Sequence, residues 1–571
     1  MQSRESDSCV RSLQIGGKMV IDQSGNVNAK DLNARTITAD TVIARSIEQP
    51  VAVPAPTAAL ERREQAYNLR VKAAYAQYKK PLPAHPNNGD EDTLEPAYIG
   101  NYTKGMNHNS LGEVVPDDYE KMVVATVTGD PADYDAIPVG GAYVRYHSPQ
   151  AGQAFDLEGA DSHATYVKPA PAFSSAERAG EAVENYWLAI CRDVNFIDYG
   201  TNANTDARVG YPNGVTQAAC DDLSAMSDFR GPKDGGLVTP ATLFRANFPG
   251  ALTGPYISQF LLKFCPYGAT DIDQKMRCPT AGVDFMTTWN EWLSIQNGNA
   301  PTGVMTFDPT KRYIRNGRDL GEWVHVDVLY QAYFQASLVM FAAGVPVNAG
   351  NPYKNSLNQL GFATFGGPHI ATLLSEVCTR ALKAKWYQKW NVHRTLRPEE
   401  FGGRVHQVKS GNASYPIHTD ILDSDAIQRV YDANGTWLLP QAFAEGAPFH
   451  PSYGSGHSVV SSACVTILKA WFDCSVAVPS PVVPSADGLT LNAWVGPALT
   501  VEGELHKVSA NVGIGRNFAG VHYRSDYEAS IELGEQIAIS VLADQGPLYN
   551  EPFAGFTFKK FDGTTVTVGG K

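Results

Sequence analysis

The spacing of apolar residues along this chain predicts a mainly helical protein. Apolar side chains recur at intervals of three and four residues, the helical period, in most segments that carry a clear pattern. Ser174 and Glu177 would form a capping box at the start of one such helix. Alternation of the strand type is scarce outside the two termini, so we expect bundled helices with long irregular loops and minor β-structure at the ends. The predicted helices cover 60–80, 177–194, 320–344, 368–392, 457–472, 500–512 and 525–542.

A five-residue repeat interrupts this pattern near the N-terminus, at 25–48. Alanine recurs at every fifth position from Ala29 to Ala44, in phase with an aliphatic residue every fifth position from Val27 to Ile47. A period of five fits neither a helix nor a strand and is typical of a small pentapeptide-type β-solenoid. One coil cannot bury its own core, so the segment is either an oligomerisation or docking element or an extended arm that packs on its own domain.

Proline-rich breaks suggest two parts of the chain. The stretch 49–58 is a Pro/Ala-rich linker, and a second Pro-rich break follows the first predicted helix. We therefore expect an N-terminal arm over 1–94 and one large helical domain over 95–571.

Composition and charge exclude several classes of function. The 571 residues include 46 Lys and Arg against 59 Asp and Glu, a net charge of −13, and no basic run is long enough to bind nucleic acid. The N-terminus lacks the apolar region of a secretory signal, and no apolar stretch approaches the length of about 20 residues needed for a membrane span. We expect a soluble protein that binds neither nucleic acid nor membrane, and the cellular compartment stays open.

The cysteines are too few for a disulfide framework. There are 8, without the CxxC spacing of a zinc site. Cys265 and Cys278, which flank a loop containing proline and glycine, form the pair best placed for a disulfide bond.

The first of three chemically distinctive segments lies at 386–399. Lys389 belongs to a predicted helix, and Pro398 forces Arg397 out of the helical region and ends that helix. Both cations can therefore converge just beyond the helix end. A solvated basic helix end, favoured by the helix dipole, is the alternative.

The second segment, 450–458, places glycines directly before an apolar helix. Gly454 and Gly456 permit a tight turn, after which the N–H groups of Ser455, Gly456 and the first helical turn can point at one spot. Such a nest at a helix N-terminus binds oxyanions. The Ser455 hydroxyl would add a ligand, and His457 would move a proton. His450 is a further candidate, although it could equally be a core histidine bonded to a carbonyl.

The third segment, 515–526, combines an arginine, a histidine and an aspartate. Arg516 can bind an oxyanion with its planar fork, and His522 can offer a ring nitrogen to a metal or phosphorus-like centre. Asp526, four residues later, could accept the other N–H of His522 and fix its tautomer. A structural Arg/His/Asp loop is the alternative.

Together the segments describe one pocket for a tetrahedral or trigonal-bipyramidal oxyanion that also needs proton transfer. In this order they resemble the signature K…RP, PSGH, SR…H that vanadium-dependent haloperoxidases share with acid phosphatases of the phosphatidic-acid-phosphatase type. Stretches such as YQKWNVHRTLRPE, AFAEGAPFHPSYGSGHSVV and IGRNFAGVHYRSDYEASIELGEQIAI are similar to the bromoperoxidases of red algae and their cyanobacterial relatives. The resemblance covers most of the chain beyond about residue 95.

The resemblance implies a role for each of these residues. His522 would be the axial ligand to vanadium, and His457 would be the acid–base partner of the apical oxygen, with His450 as a second catalytic histidine. It also implies two helical bundles, a homo-oligomer that is often a dodecamer, and a structural calcium ion as in some members, although the chain has no DxDxD loop. The ligands of the equatorial vanadate oxygens would be Lys389, Arg397, Ser455, the Gly456 amide and Arg516.

Two positions depart from the pattern. Gly515 stands where the general signature has serine, which removes a hydroxyl. Trp386 stands where red-algal members commonly carry arginine. This change removes a cation and adds an aromatic wall, so Trp386 is our candidate for halide selectivity.

The predicted activity is oxidation of bromide, and of chloride or iodide as further candidates, by hydrogen peroxide. The hypohalous acid formed would halogenate a small organic compound that the sequence does not identify. Two alternatives remain at this point: a phosphatase that uses His522 as the nucleophile, and a structural protein with a vestigial pocket.

Overall fold

The computed structural model describes residues 13–15, 18–21, 57–201 and 214–570. The five-residue repeat lies outside them. The chain divides into two compact units between Tyr67 and Asn68. The larger unit contains every candidate residue of the predicted site.

Helices dominate the described residues, as predicted. Their bounds are α1 Thr57–Lys79, α2 Asp90–Thr93, α3 Pro116–Thr128, α4 Pro131–Asp135, α5 Ala176–Cys191, α6 Val215–Ala225, α7 Trp289–Gln296, α8 Gly317–Trp323, α9 Gln331–Ala342, α10 Gly367–Tyr387, α11 Pro398–Lys409, α12 Thr419–Leu422, α13 Asp425–Asn434, α14 Gly456–Trp471, α15 Val501–Phe518 and α16 Arg524–Gln545. A π-helical segment, Gln388–His393, continues α10.

The strands form four separate antiparallel hairpins. These are β1 Leu13–Ile15 with β2 Lys18–Ile21, β3 Cys265–Tyr267 with β4 Thr270–Ile272, β5 Val482–Pro484 with β6 Leu491–Ala493, and β7 Phe556–Lys559 with β8 Thr565–Val568. The first and last hairpins lie at the termini, where β-structure was expected. The other two lie inside the chain and were not predicted.

Helix α14 is at the centre of the larger unit. It packs on α10, α15 and α16, and every one of its residues except His457 is buried. A helix that is enclosed on all sides must be apolar or small around its whole circumference, which explains the run VVSSACVTILKAW. The N-terminus of α14 is thereby held in a fixed place among three other helices.

Three helix boundaries differ from the prediction. Ser175, and not Ser174, caps α5 through a hydrogen bond from the Arg178 N–H to its side chain. The helix predicted over 320–344 is broken, because α8 ends at Trp323 and α9 begins only at Gln331. Three β-branched valines fall in this break at alternate positions, Val324, Val326 and Val328, and such residues weaken a helix that lacks other support.

The third difference concerns the end of α15. The helix predicted to end near 512 continues to Phe518, so that Gly515 and Arg516 lie in its last turn and not in a loop. A Cβ atom on Gly515 would lie 2.9 Å from Val324 Cγ2 and 3.0 Å from the Leu320 carbonyl oxygen. The close contact between α15 and α8 therefore explains why glycine stands at this position.

The pair best placed for a disulfide bond is not bridged. Cys265 and Cys278 are both buried free thiols. Their Sγ atoms point to different carbonyl groups, those of Gln335 at 3.8 Å and Met276 at 3.7 Å.

Among the described helices, none is long and apolar enough to cross a bilayer.

Candidate oxyanion site

The three predicted cations lie on three different elements and are all buried. Lys389 belongs to the π-helical segment after α10, Arg397 directly precedes α11, and Arg516 lies in the last turn of α15. No ammonium or guanidinium nitrogen of the three forms an ion pair with a carboxylate within 4.0 Å among the residues that the structure describes, although Asp526 and Asp327 act on them from a greater distance. Burying charge without a counter-ion costs several kcal/mol per ion. The arrangement is therefore suited to binding an anion.

Backbone carbonyl groups hold these cations in position. A carbonyl oxygen orients an ammonium or guanidinium group without cancelling its charge, so the positive field of the site is kept. The Nε atom of Arg516 is buried and has no hydrogen-bond partner within the described chain. The hydrogen bonds run from Lys389 Nζ to Pro451 O (2.6 Å) and Ser452 O (3.0 Å), from Arg397 Nε to His450 O (2.9 Å), from Arg397 Nη1 to Val521 O (2.8 Å), and from Arg516 Nη1 to Val324 O (2.7 Å).

Burial, more than mutual repulsion, weakens the hold of these groups on their protons. Burial, followed by the charge of Arg397, lowers the pKa of Lys389 well below its ordinary value. Burial also lowers the pKa of Arg516 to about 10. A bound anion would relieve both effects, because it would place negative charge among the three cations.

The N-terminus of α14 supplies part of the predicted amide nest. Ser455 caps the helix and accepts a hydrogen bond from the Ser458 N–H (3.2 Å). The Ser455 N–H donates to the Asp526 carbonyl (3.1 Å) and is therefore not available to a ligand, contrary to our prediction. Gly456 begins the helix, where the first N–H groups have no partner within the helix. This amide and the helix dipole favour an anion at this end.

His457 lies beside these groups and is fixed by a residue that we did not predict. Its Nε2 atom is 2.9 Å from Oδ1 of Asp327, which is buried in the break between α8 and α9. Burial opposes ionisation of Asp327, but His457 and then Arg516 lower the pKa of this carboxyl group. We did not predict Asp327, because it falls inside the continuous helix that we expected over 320–344.

His522 is paired with Asp526, as predicted from their spacing. The Nδ1 atom of His522 is 2.7 Å from Asp526 Oδ2, which also accepts hydrogen bonds from the Ser452 hydroxyl (2.5 Å) and the Tyr523 N–H (3.0 Å). Burial, followed by the charges of Arg397 and Lys389, lowers the pKa of His522 well below its ordinary value. The ring is thus neutral and donates from Nδ1, so that Nε2 is the acceptor nitrogen and faces Arg397. Nε2 lies 3.0 Å from Arg397 Nη1.

His450 and Trp386 form an aromatic wall next to the cations. The ring centroids of these two residues are 4.8 Å apart, and Lys389 Nζ lies 5.6 Å from the centre of the indole. A Cβ atom on Gly456 would lie 3.1 Å from Trp386 Cζ3, so the indole also covers the start of α14. His450 Nδ1 is 2.8 Å from Arg397 Nη2. Burial, followed by Lys389 and Arg397, lowers the pKa of His450 well below its ordinary value.

Lys385, a residue of α10 near Asp526, was not among the predicted site residues. Lys385 Nζ is fully buried and has no hydrogen-bond partner among the residues that the structure describes, and the same is true of Asp526 Oδ1. Lys385 Nζ and the Asp526 carbonyl oxygen lie 3.1 and 2.5 Å from the position that a Cβ atom on Gly454 would take. Burial lowers the pKa of Lys385 to about 7, although Asp526 acts in the opposite direction.

No group of three or more His, Cys, Asp and Glu side chains in the described ranges is arranged to hold a metal ion. The calcium ion stays a prediction.

Buried cations, neutral histidines and a helix N-terminus define a protein that binds an oxyanion and transfers protons. Residues 369–548 match the family model of the VCPO second helical-bundle domain. The chain is 36% identical to the vanadium-dependent bromoperoxidase of Corallina pilulifera over 88% of this chain and 96% of that protein. It is 33% identical to the vanadium-dependent bromoperoxidase of Ascophyllum nodosum, covering 90% and 95% of the two chains.

A solved structure agrees with these relatives. The homohexameric structure of the second vanadate-dependent bromoperoxidase from Ascophyllum nodosum has a TM-score of 0.83 and 29% identity, and the match covers 94% of each chain. The chain belongs to the vanadium-dependent bromoperoxidases and is an enzyme of this class.

The buried Lys385 leads to a prediction on pH and stability. The pKa of Lys385 is about 7 in the folded protein, against 10.5 for the free side chain. Between these two values the unfolded protein binds more protons than the folded protein, so the free energy of unfolding rises with pH. Lys385→Met should abolish a rise of about 4 kcal/mol, at about 1.4 kcal/mol per pKa unit. Urea unfolding of vanadate-free protein from about pH 7 to about pH 10 measures this, with the exposed Lys121→Met as control. Parallel curves for Lys385→Met and the unmodified protein would contradict the prediction.

Proposed function

We propose that this protein uses vanadate to oxidise bromide with hydrogen peroxide, and that the hypobromous acid formed halogenates electron-rich organic compounds. The observation that carries the proposal is the cluster of Lys389, Arg397 and Arg516, three buried cations without a carboxylate partner in the described chain. This donor set fits vanadate, an oxyanion whose charge would compensate theirs. The functional domain would begin near residue 95.

The proposed ligands follow from the geometry. His522 would bind the metal through Nε2, because Asp526 already occupies Nδ1. Lys389, Arg397, Arg516, the Ser455 hydroxyl and the Gly456 amide would bind the oxygens. Vanadate, when bound, supplies a Lewis-acidic centre that activates peroxide without changing its own oxidation state.

The residues of the chain would do the remaining work. The three cations stabilise negative charge that develops on the peroxide oxygens, and they do so without rearrangement because carbonyl groups already orient them. Asp327 holds the His457 ring in the orientation needed to take up and return a proton. His450, kept neutral by burial and by the neighbouring cations, would be the second proton carrier.

Reconstitution tests the proposed activity and its main alternative together. The metal-stripped protein is incubated with orthovanadate and assayed in parallel for peroxide-dependent bromination and for hydrolysis of a phosphate ester. We expect bromination only with vanadate and negligible hydrolysis. Hydrolysis that vanadate inhibits, without bromination, would mean that the protein is a phosphatase with His522 as its nucleophile. A protein with neither activity would have a vestigial pocket.

His522→Ala is the matching variant. It removes the only proposed protein ligand to the metal and leaves the three cations in place, so we expect vanadate retention to fall below detection in equilibrium dialysis and bromination to be lost. Full bromination by this variant would disprove the assignment of the metal ligand.

Trp386 makes halide preference testable. The indole excludes water beside Lys389, which keeps the cation unscreened and strips water from a halide ion. Replacing it by the arginine of red-algal members should lower the chloride-to-bromide ratio of kcat/KM by about tenfold, or about 1.4 kcal/mol. Trp386→Phe keeps an aromatic wall and should give a ratio closer to that of the unmodified enzyme. A ratio that is equal in all three proteins would exclude Trp386 as a selectivity residue.

We further propose a homo-oligomer. The loop between α9 and α10 exposes three large apolar side chains, with relative accessibilities of 103% for Leu357, 87% for Leu360 and 70% for Phe362. Apolar patches of this kind mark protein–protein contacts. The similar solved structure is a homohexamer, whereas the sequence resemblance implies a dodecamer. Sedimentation velocity separates these two states, and a monomer would contradict the proposal.

A further inference from the structure

Each turnover of the proposed reaction consumes one proton from solvent. Bromide and hydrogen peroxide give hypobromous acid and water only if one proton is taken up: the O–O bond breaks, an O–Br bond forms, bromide loses two electrons and the peroxide oxygens gain them. Arg397, His450 and His522 are buried. A route must therefore carry protons from solvent to these groups.

His147 occupies the position that such a route requires. It lies in the loop between α4 and α5, and its side chain reaches solvent. The centroid of its ring is 5.7 Å from that of His450. A single bridging water molecule or a small rotation of the exposed ring spans this separation.

Hydrogen bonds at both the N–H and the carbonyl group hold the backbone of His147 in place. Its N–H donates to the Phe449 carbonyl (3.0 Å), the residue just before His450. Its carbonyl accepts a hydrogen bond from the indole Nε1 of Trp386 (2.7 Å). The next residue, Ser148, has a φ of 42°, a left-handed conformation that is unusual for a residue other than glycine. The histidine is thus held against the aromatic wall of the site.

The charged surroundings suit a group that passes protons on. The groups that face His147 are His450 from the segment before α14, Trp386 from α10 and, behind them, Arg397. On its own loop, Arg145 turns away to bond the Ala142 and Val144 carbonyls. Partial burial against the site, followed by the charge of Arg397, lowers the pKa of His147. A ring that holds its proton weakly releases it readily to the next carrier.

We infer that His147 is the outer member of a two-histidine proton relay, which takes a proton from solvent and delivers it through His450 to the reaction site. This inference rests on the proposed function. In the described chain no hydrogen bond or ring contact joins His147 to the proposed vanadate ligands, so its role would be separate from cofactor binding. Direct delivery from solvent to His457 is the competing route.

The decisive variant is His147→Gln in the full-length, vanadate-loaded enzyme, with His163→Gln as a matched control away from the site. We expect vanadate affinity and the KM for bromide to stay within twofold of the unmodified enzyme. The kcat of His147→Gln should fall more steeply as pH rises from about 6 to about 8, by about tenfold at the upper end, because solvent protons become scarce. Added imidazole should restore kcat in this variant and have little effect on the control.

Two outcomes would overturn the inference. A pH profile identical to that of the control, without imidazole rescue, would assign proton delivery to another route such as His457. Loss of vanadate affinity without rescue would make His147 a structural residue of the loop. If the unmodified loaded enzyme brominates nothing, the proposed function itself fails, and this result is distinguishable because it does not depend on the variant.

Discussion

The site depends on one electrostatic constraint: three cations are buried near one another, and within the described parts of the chain none of them forms an ion pair with a carboxylate. Lys389, Arg397 and Arg516 are each held by backbone carbonyl groups, which orient the donors and leave their charge in place. Pairing any of them with an Asp or Glu would have been less costly for folding, but it would have cancelled the field that binds an oxyanion. The packing of α10, α14 and α15 must therefore compensate for this local cost.

Burial, together with the same field, sets the protonation of two of the histidines. Burial and the neighbouring cations lower the pKa of both His522 and His450 well below the ordinary value, so both rings are neutral. A neutral imidazole is needed for a metal ligand and for a proton carrier alike. Two carboxylates then define orientation: Asp526 bonds His522, and Asp327 bonds His457. The proposed anion binding, metal ligation and proton transfer would thus all depend on the same buried, cation-rich surroundings.

Several parts of this arrangement could be predicted from residues close together in the sequence. The apolar run after Gly456 predicts a buried helix, and the four-residue spacing of His522 and Asp526 predicts their contact. Sequence reasoning failed where a contact joins distant segments. Asp327 was concealed in an expected continuous helix, the Ser455 N–H is used by the Asp526 carbonyl, and Lys385 showed no signal apart from its place on a helix.

The sequence by itself determined the helical character of the chain, the three segments that carry cations, histidines and glycines, and their resemblance to the haloperoxidases. These features are local, because the helical period and the residue types near a helix end are set within a few residues. Only the tertiary structure decided which groups meet: that Asp327 reaches His457, that Trp386 lies against His450 and Gly456, and that His147 lies beside them at the surface. Such contacts depend on how helices far apart in the chain pack around α14, and the periodicity of a single segment carries no information on that packing.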